Sequence, residues 1–193
     1  PRWAGGLGLA HAYSRTCALD VDDIDSAAEL LGQHGIPLHQ AFRSPRTVAV
    51  DSGREGRAKF MFRLPPNVEP LRTVRVQRGP DDVRVSYELR CATADGLTVQ
   101  DVLPPSIHPE TGQPYRWAGR GDWHRLPQLP GALLAHWQSL IDALPPPATI
   151  DDDPLHHLPP RDQQIDELRD ALSWIPADDY ETWISVGHAL RAA

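Results

Sequence analysis

The sequence predicts an α+β fold: a mainly antiparallel sheet with flanking helices, followed by a short all-helical segment. Three observations carry this. Several strand-like runs follow one another with only short turns between them, as antiparallel pairing allows, whereas a doubly wound sheet would need a helix after each strand. Helical periodicity before residue 148 is confined to two stretches. A proline-rich segment then separates this mixed region from a purely helical pattern.

In chain order, Leu7 to Tyr13 and Thr16 to Val21 read as strands. Ile24, Ala27, Ala28 and Leu31 fall on one helical face, and Gly32 or Gly35 ends that helix. Thr47 to Asp51, Ala58 to Leu64, Thr73 to Arg78, Val83 to Arg90 and Leu97 to Val102 are further strands, all expected in one sheet. The turns are Gly53-Arg54-Glu55-Gly56 and Gly79-Pro80-Asp81-Asp82, and Gly131 to Ala143 is a last helix. Residues 148–161, rich in Pro and Asp, read as a linker that closes a first domain at 1–147. Residues 162–193 give two helices, one with Ile165, Leu168 and Leu172 on a face and one running from Asp178 through Trp183, Val186 and Leu190. The helical pattern still runs at Ala193 and the chain opens on Pro1, so a fragment of a longer protein is expected.

With 193 residues, 40% of them hydrophobic, the chain is long enough for a packed core. Its apolar runs are too short for a membrane span. Two cysteines in apolar stretches, Cys17 and Cys91, argue against a disulfide framework, and no leader segment is visible, which points to a reducing, cytoplasmic setting. The net charge of −7 is unevenly placed: residues 148–193 hold ten Asp/Glu and three Arg, leaving residues 1–147 neutral overall. Within that neutral part, residues 42–90 carry eleven Arg/Lys against six Asp/Glu, and residues 20–29 carry five acids and no base. A concentrated acidic spot beside a basic stretch suits metal ions and phosphates together.

Strand alternation in Cys17-Ala18-Leu19-Asp20-Val21-Asp22 sends Cys17, Leu19 and Val21 to the core and sets Asp20 and Asp22 on the opposite face. Two carboxylates so close repel unless a cation lies between them, and Mg²⁺ or Mn²⁺ takes such oxygen ligands. Asp23 reads as the cap of the following helix. In Val83 to Arg90 the same alternation leaves Glu88 on the polar face with Arg84, Ser86 and Arg90, either as a third metal ligand or in a surface salt bridge. The turn at Ser52 leads into a strand on which Lys59, Met61 and Arg63 share a face, and Arg54, Arg57 and Lys59 could neutralise a triphosphate. Lys59 is the single lysine of a chain with 18 arginines. In Pro104-Pro105-Ser106-Ile107-His108-Pro109, Ser106 and His108 flank Ile107 and share a side, while Tyr115 and Trp117 either stack a base or pack the core.

Taken in order, Leu-Asp-Val-Asp at 19–22, the Ser-Gly-Arg turn and basic strand at 52–63, Tyr-Glu-Leu-Arg at 87–90, Pro-Pro-Ser-Ile-His-Pro at 104–109 and Tyr-Arg-Trp at 115–117 resemble the archaeo-eukaryotic primase superfamily. The nearest form is the bifunctional primase/polymerase N-terminal domain of phage, prophage and plasmid replication proteins. The resemblance implies an RRM-like catalytic core. It makes Asp20, Asp22 and Glu88 the catalytic, metal-binding acids, with Mg²⁺ or Mn²⁺ as cofactor. Ser52, Arg54, Arg57, Lys59, Ser106 and His108 form the nucleotide site in this reading. NTP or dNTP substrates, a single-stranded DNA template and a C-terminal helicase domain follow from the same resemblance, while the short apolar runs are what leave no membrane to expect. Residues 172–190 are similar to the start of a primase C-terminal helical domain. The second motif of the superfamily commonly ends in His, and here Arg57 and Lys59 occupy that neighbourhood. The other readings of these residues are a non-catalytic single-strand-binding module and a metal-dependent nuclease.

Overall fold

The computed structural model describes residues 6–79 and 81–145. The chain forms two compact units, Pro1–Pro147 and Ala148–Ala193, and all the described residues belong to the first. The expected linker and the helices after it lie outside the described residues.

Six strands form the main sheet: β2 (Thr16–Val21), β3 (Val48–Asp51), β4 (Ala58–Arg63), β5 (Val74–Gly79), β6 (Asp82–Arg90) and β8 (Arg116–Gly119), in the order β5-β6-β2-β4-β3-β8. Every pairing is antiparallel. A separate two-stranded ribbon pairs β1 (Leu7–Ala10) with β7 (Gln100–Leu103). The helices are α1 (His11–Ser14), α2 (Ile24–Gln33), α3 (Leu38–Arg43) and α4 (Gly131–Asp142). The α+β class and the mainly antiparallel sheet hold; the expected single sheet is two.

Alternation along the strands divides the main sheet into two unlike faces. Cys17, Leu19 and Val21 of β2, Phe60 of β4 and Tyr87 and Leu89 of β6 meet Ala27 and Leu31 of α2, Leu38 of α3 and Leu133 and Trp137 of α4 in the main core. Burying such side chains stabilises by about 1.5–3 kcal/mol each. The Trp137 indole also donates to the Arg72 carbonyl at 2.8 Å, so the one polar atom of that ring is satisfied. On the opposite face a smaller cluster of Ala18, Val48, Val50 and Met61 is covered by Leu9 and Leu103 of the ribbon, with Tyr115 and Trp117. The ribbon therefore closes only part of that face. Asp20 and Lys59, one alternation step from Ala18 and Met61, line a pocket beyond the covered part.

Local signals explain most element ends. Asp23 caps α2 by accepting from the Ser26 N–H at 2.9 Å, and Gly35 at φ 71° lets the Ile36 N–H return to the Leu31 carbonyl. Elsewhere the boundaries differ from the sequence reading. The first strand stops at Ala10 because the chain turns into α1, whose end places Arg15 at φ 51°. The strand expected from Leu97 starts at Gln100, because Thr93 and Leu97 close a turn on each other through both backbone and side chain. Val83, expected inward, is 80% exposed near the hairpin tip. Neither α3 nor β8 has a signal in the sequence: six and four residues are too few to show a period.

Gly119 sits at φ 86° with room for no side chain, since a Cβ there would lie 2.2 Å from the Thr47 carbonyl oxygen. Gly56 has a similar φ of 71° in open space. Gly119→Ala is thus expected to cost roughly 3 kcal/mol, through strain plus displacement of β3 from β8, and Gly56→Ala about 1 kcal/mol. Denaturant melts of the two variants measure the difference; equal losses would remove the close-approach account of Gly119.

Candidate active site

One register line crosses all six strands. Arg75 of β5 pairs with Glu88 of β6, Glu88 with Asp20 of β2, Asp20 with Lys59 of β4, Lys59 with Val50 of β3, and Val50 with Trp117 of β8. Two carboxylates thus stand directly opposite each other at the centre of the sheet, a repulsive arrangement on adjacent strands. Cations on either side compensate it. Glu88 accepts from Arg90 Nη1 at 2.5 Å and pairs with Arg75 Nε at 2.6 Å, and Asp20 pairs with Lys59 Nζ at 3.1 Å. Asp22, just past the end of β2, is ion-paired with Arg57, and its N–H donates to the Ser86 carbonyl at 2.9 Å.

Beside this line lies a pocket of about 130 Å³. Asp20 and Asp22 form its acidic side, and Arg54, Arg57 and Lys59, from the Ser52 turn and β4, its basic side. Ser52, His108 and Tyr115 complete the rim. The turn is built by Gly53 at φ 75°, whose N–H donates to the Asp51 carboxylate at 2.8 Å, and by Gly56 at φ 71°. His108 is fixed by its backbone neighbours: Nδ1 accepts from the N–H groups of Glu110 at 3.2 Å and Thr111 at 3.4 Å. The neutral ring therefore carries its proton on Nε2. Burial pushes the Asp20 carboxyl above its usual range, against the opposing pull of Lys59. Lys59 is itself moved upward: burial alone would lower it, but the charges of Asp101 and Asp20 outweigh that.

Asp101, which the sequence reading passed over, lies behind Lys59. It is 2% exposed, yet its carboxylate accepts from Lys59 Nζ at 2.7 Å, Arg90 Nε at 2.9 Å and His11 Nε2 at 2.8 Å. Burial would raise its pKa, but the His11 hydrogen bond and the charges of Lys59 and Arg90 hold it well below the usual carboxylate range. The alternation in Leu97 to Val102 gave no sign of it, because that strand starts three residues later and belongs to the ribbon.

Of the nine residues singled out from the sequence, the pocket collects Asp20, Asp22, Ser52, Arg54, Arg57, Lys59 and His108. Glu88 neighbours Asp20 but is 7% exposed and occupied by two arginines. Ser106 is on the same side as His108, with Ile107 exposed between them, but lies outside the pocket wall. Its hydroxyl accepts from the Leu7 N–H at 2.6 Å and ties the Pro104 loop to the ribbon. The oxygen pair of Asp20 and Asp22 suits a hard divalent cation. Among the described residues, no three or more His, Cys, Asp or Glu stand together as a ligand group, and Glu88 is paired with Arg75 and Arg90.

The raised Asp20 pKa has a stability consequence. A carboxyl whose folded pKa lies above its unfolded value favours folding when protonated, and that contribution is lost as pH rises through the window from about 4 to the folded pKa. Asp20→Asn is therefore expected to be at least as stable as the parent at pH 7, the difference shrinking as pH falls towards 4. Thermal melts across that range check this; a variant clearly less stable than the parent at pH 7 would contradict it.

No curated protein and no solved structure matches the chain. The family model for the bifunctional DNA primase/polymerase N-terminal domain matches residues 2–132, which include the acidic strand, the basic turn, Glu88 and the His108 loop. Among the described residues no helix is long and apolar enough to cross a membrane. With its motifs meeting around one pocket and that match covering most of its length, the chain belongs to the bifunctional DNA primase/polymerase N-terminal family.

Proposed function

We propose that this domain performs template-directed nucleotidyl transfer, making or extending primers on single-stranded DNA from nucleoside triphosphates in phage, prophage or plasmid replication. One observation carries the reading most directly: a single pocket sets two carboxylates against three cations that together match a metal-bound triphosphate. A helicase domain elsewhere in the same replication protein is the partner that this reading implies.

In the reaction a 3′-hydroxyl attacks the α-phosphorus, a new P–O ester bond forms, and the bond to the β-phosphate breaks to release pyrophosphate. Little covalent chemistry falls to the protein, so positioning and charge neutralisation supply most of the rate. Arg54 and Arg57 offer planar forks for phosphate oxygens, and Lys59 a compact point charge. His108 Nε2–H can donate to another such oxygen. A triphosphate competes with Asp22 for Arg57, so substrate entry frees the carboxylate. Asp20 and Asp22 would then hold Mg²⁺ or Mn²⁺, with Glu88 joining if one of its arginines gives way. The ion, when bound, acidifies the attacking hydroxyl and neutralises charge on the leaving group.

Primer extension and de novo synthesis on single-stranded DNA, with NTPs or dNTPs and Mg²⁺ or Mn²⁺, test this directly. The parent is expected to form product, and Asp22→Ala to lose about two orders of magnitude or more in rate while melting near the parent temperature. Shortened strands would mean a nuclease instead. Single-strand binding in EDTA with no product under any condition would mean a non-catalytic module.

A further inference from the structure

We propose that Asp101 is the positioning residue of this site: from outside the pocket its carboxylate fixes Lys59 and Arg90, and through them the placement of Asp20 and Glu88. The inference rests on the nucleotide-pocket reading for its functional meaning, though not for its geometry.

The geometry branches from one carboxylate. Oδ1 accepts from both Lys59 Nζ at 2.7 Å and Arg90 Nε at 2.9 Å. Each of those cations extends a second contact to an acid of the central register line, Lys59 to Asp20 at 3.1 Å and Arg90 to Glu88 at 2.5 Å. Oδ2 accepts from His11 Nε2 at 2.8 Å, and the other ring nitrogen meets the Thr16 hydroxyl at 2.9 Å. The carboxylate is thus clamped from both sides, and neither oxygen is left without a donor.

Its place in the fold sharpens the point. Asp101 is on β7, opposite Leu9 of β1, so it belongs to the ribbon and not to the sheet that bears the acids. The ribbon docks by Leu9 and Leu103 over Ala18 and Met61, and this contact carries Asp101 to the ammonium of Lys59. A nearly fully buried carboxylate is costly to install, and an apolar residue would serve ribbon packing as well or better. What a carboxylate adds is direction for two long, flexible cations. Lys59 gains most, since a lysine stem has many rotamers and its ammonium makes no planar fork to fix it. Outer partners that orient metal ligands are typically worth 10- to 100-fold in metal affinity or activity, and an effect at the lower end of that range is expected for partners that orient cations.

Because Lys59 is the only lysine in the chain, ¹⁵N-lysine labelling gives its ammonium a signal of its own. The test compares the full chain with Asp101→Asn, Lys59→Ala and the double variant, reading that signal and the binding of a fluorescent methylanthraniloyl-ATP in EDTA. The parent is expected to show a slowly exchanging ammonium signal that Asp101→Asn loses. Asp101→Asn is also expected to weaken nucleotide binding about 10-fold or more, and the double variant to fall well short of the product of the two single losses. If Asp101→Asn does not fold, His11→Gln, which loosens the carboxylate but keeps its charge, replaces it with a smaller loss in the same direction. An unchanged lysine signal, binding within twofold of the parent, or losses that multiply in the double variant would each overturn the proposal. If Lys59→Ala alone leaves binding intact, the nucleotide reading falls with the functional part of the proposal, while the lysine signal still decides whether Asp101 holds the ammonium.

Discussion

Two carboxylates facing each other across adjacent strands, Asp20 on β2 and Glu88 on β6, set the conditions that the rest of this site must meet. In the middle of a sheet neither strand can move away, because both bury their other face in the core through Leu19 and Leu89. The repulsion has to be met by cations fixed in place, and the surroundings supply them from both flanks: Arg75 and Arg90 on the Glu88 side, Lys59 on the Asp20 side. Arg57 does the same for Asp22. The polar face of the sheet is therefore a connected set of ion pairs, running from the buried Glu88 to the exposed Arg75.

The ribbon makes sense in the same terms. A six-stranded sheet with helices on one face leaves its other face uncovered, and an apolar cap over Ala18 and Met61 would be enough for stability. The cap present here also brings in a buried aspartate, and with it a histidine, at the level where the cations need a counter-charge. Covering part of a face and ordering the charges beside it become one structural act. The pocket lies on the part left uncovered.

Charge pairing also accounts for the way the pocket residues are matched to one another. On the proposed reading, Asp20 and Asp22 would hold a metal ion and Arg54, Arg57 and Lys59 phosphate groups, and with neither bound Arg57 and Lys59 pair with the two acids. A metal-bound triphosphate would bring a complement for each set at once. The chain's membership of the primase/polymerase family is the setting in which that proposal is made. Burial holds the Asp20 carboxyl above its usual range, so this residue is not the one that folding alone would choose.

How much of this was legible in the sequence depends on the range of the interaction concerned. Strand alternation placed Asp20 opposite the core-facing Leu19, the i to i+3 relation made Asp23 a helix cap, and glycines marked the Ser52 turn, because each of these is decided within a few residues of backbone geometry. The order of the motifs was enough to suggest the family. Alternation also put Glu88 on the polar face, but not the two arginines that hold it, since Arg75 reaches it only through the pairing of β5 with β6. Ser106 looked like a partner of His108, and sits beside it, yet its hydroxyl is taken by a backbone group 99 residues away. Asp101 gave no local signal: its meaning comes from a ribbon made of two segments about ninety residues apart, laid on a sheet to which neither belongs. The sequence by itself determined the fold class, the acidic strand and the basic turn, through periods and turn chemistry that are local; which charges meet was decided by tertiary structure alone, because electrostatic partners are chosen by distance in space.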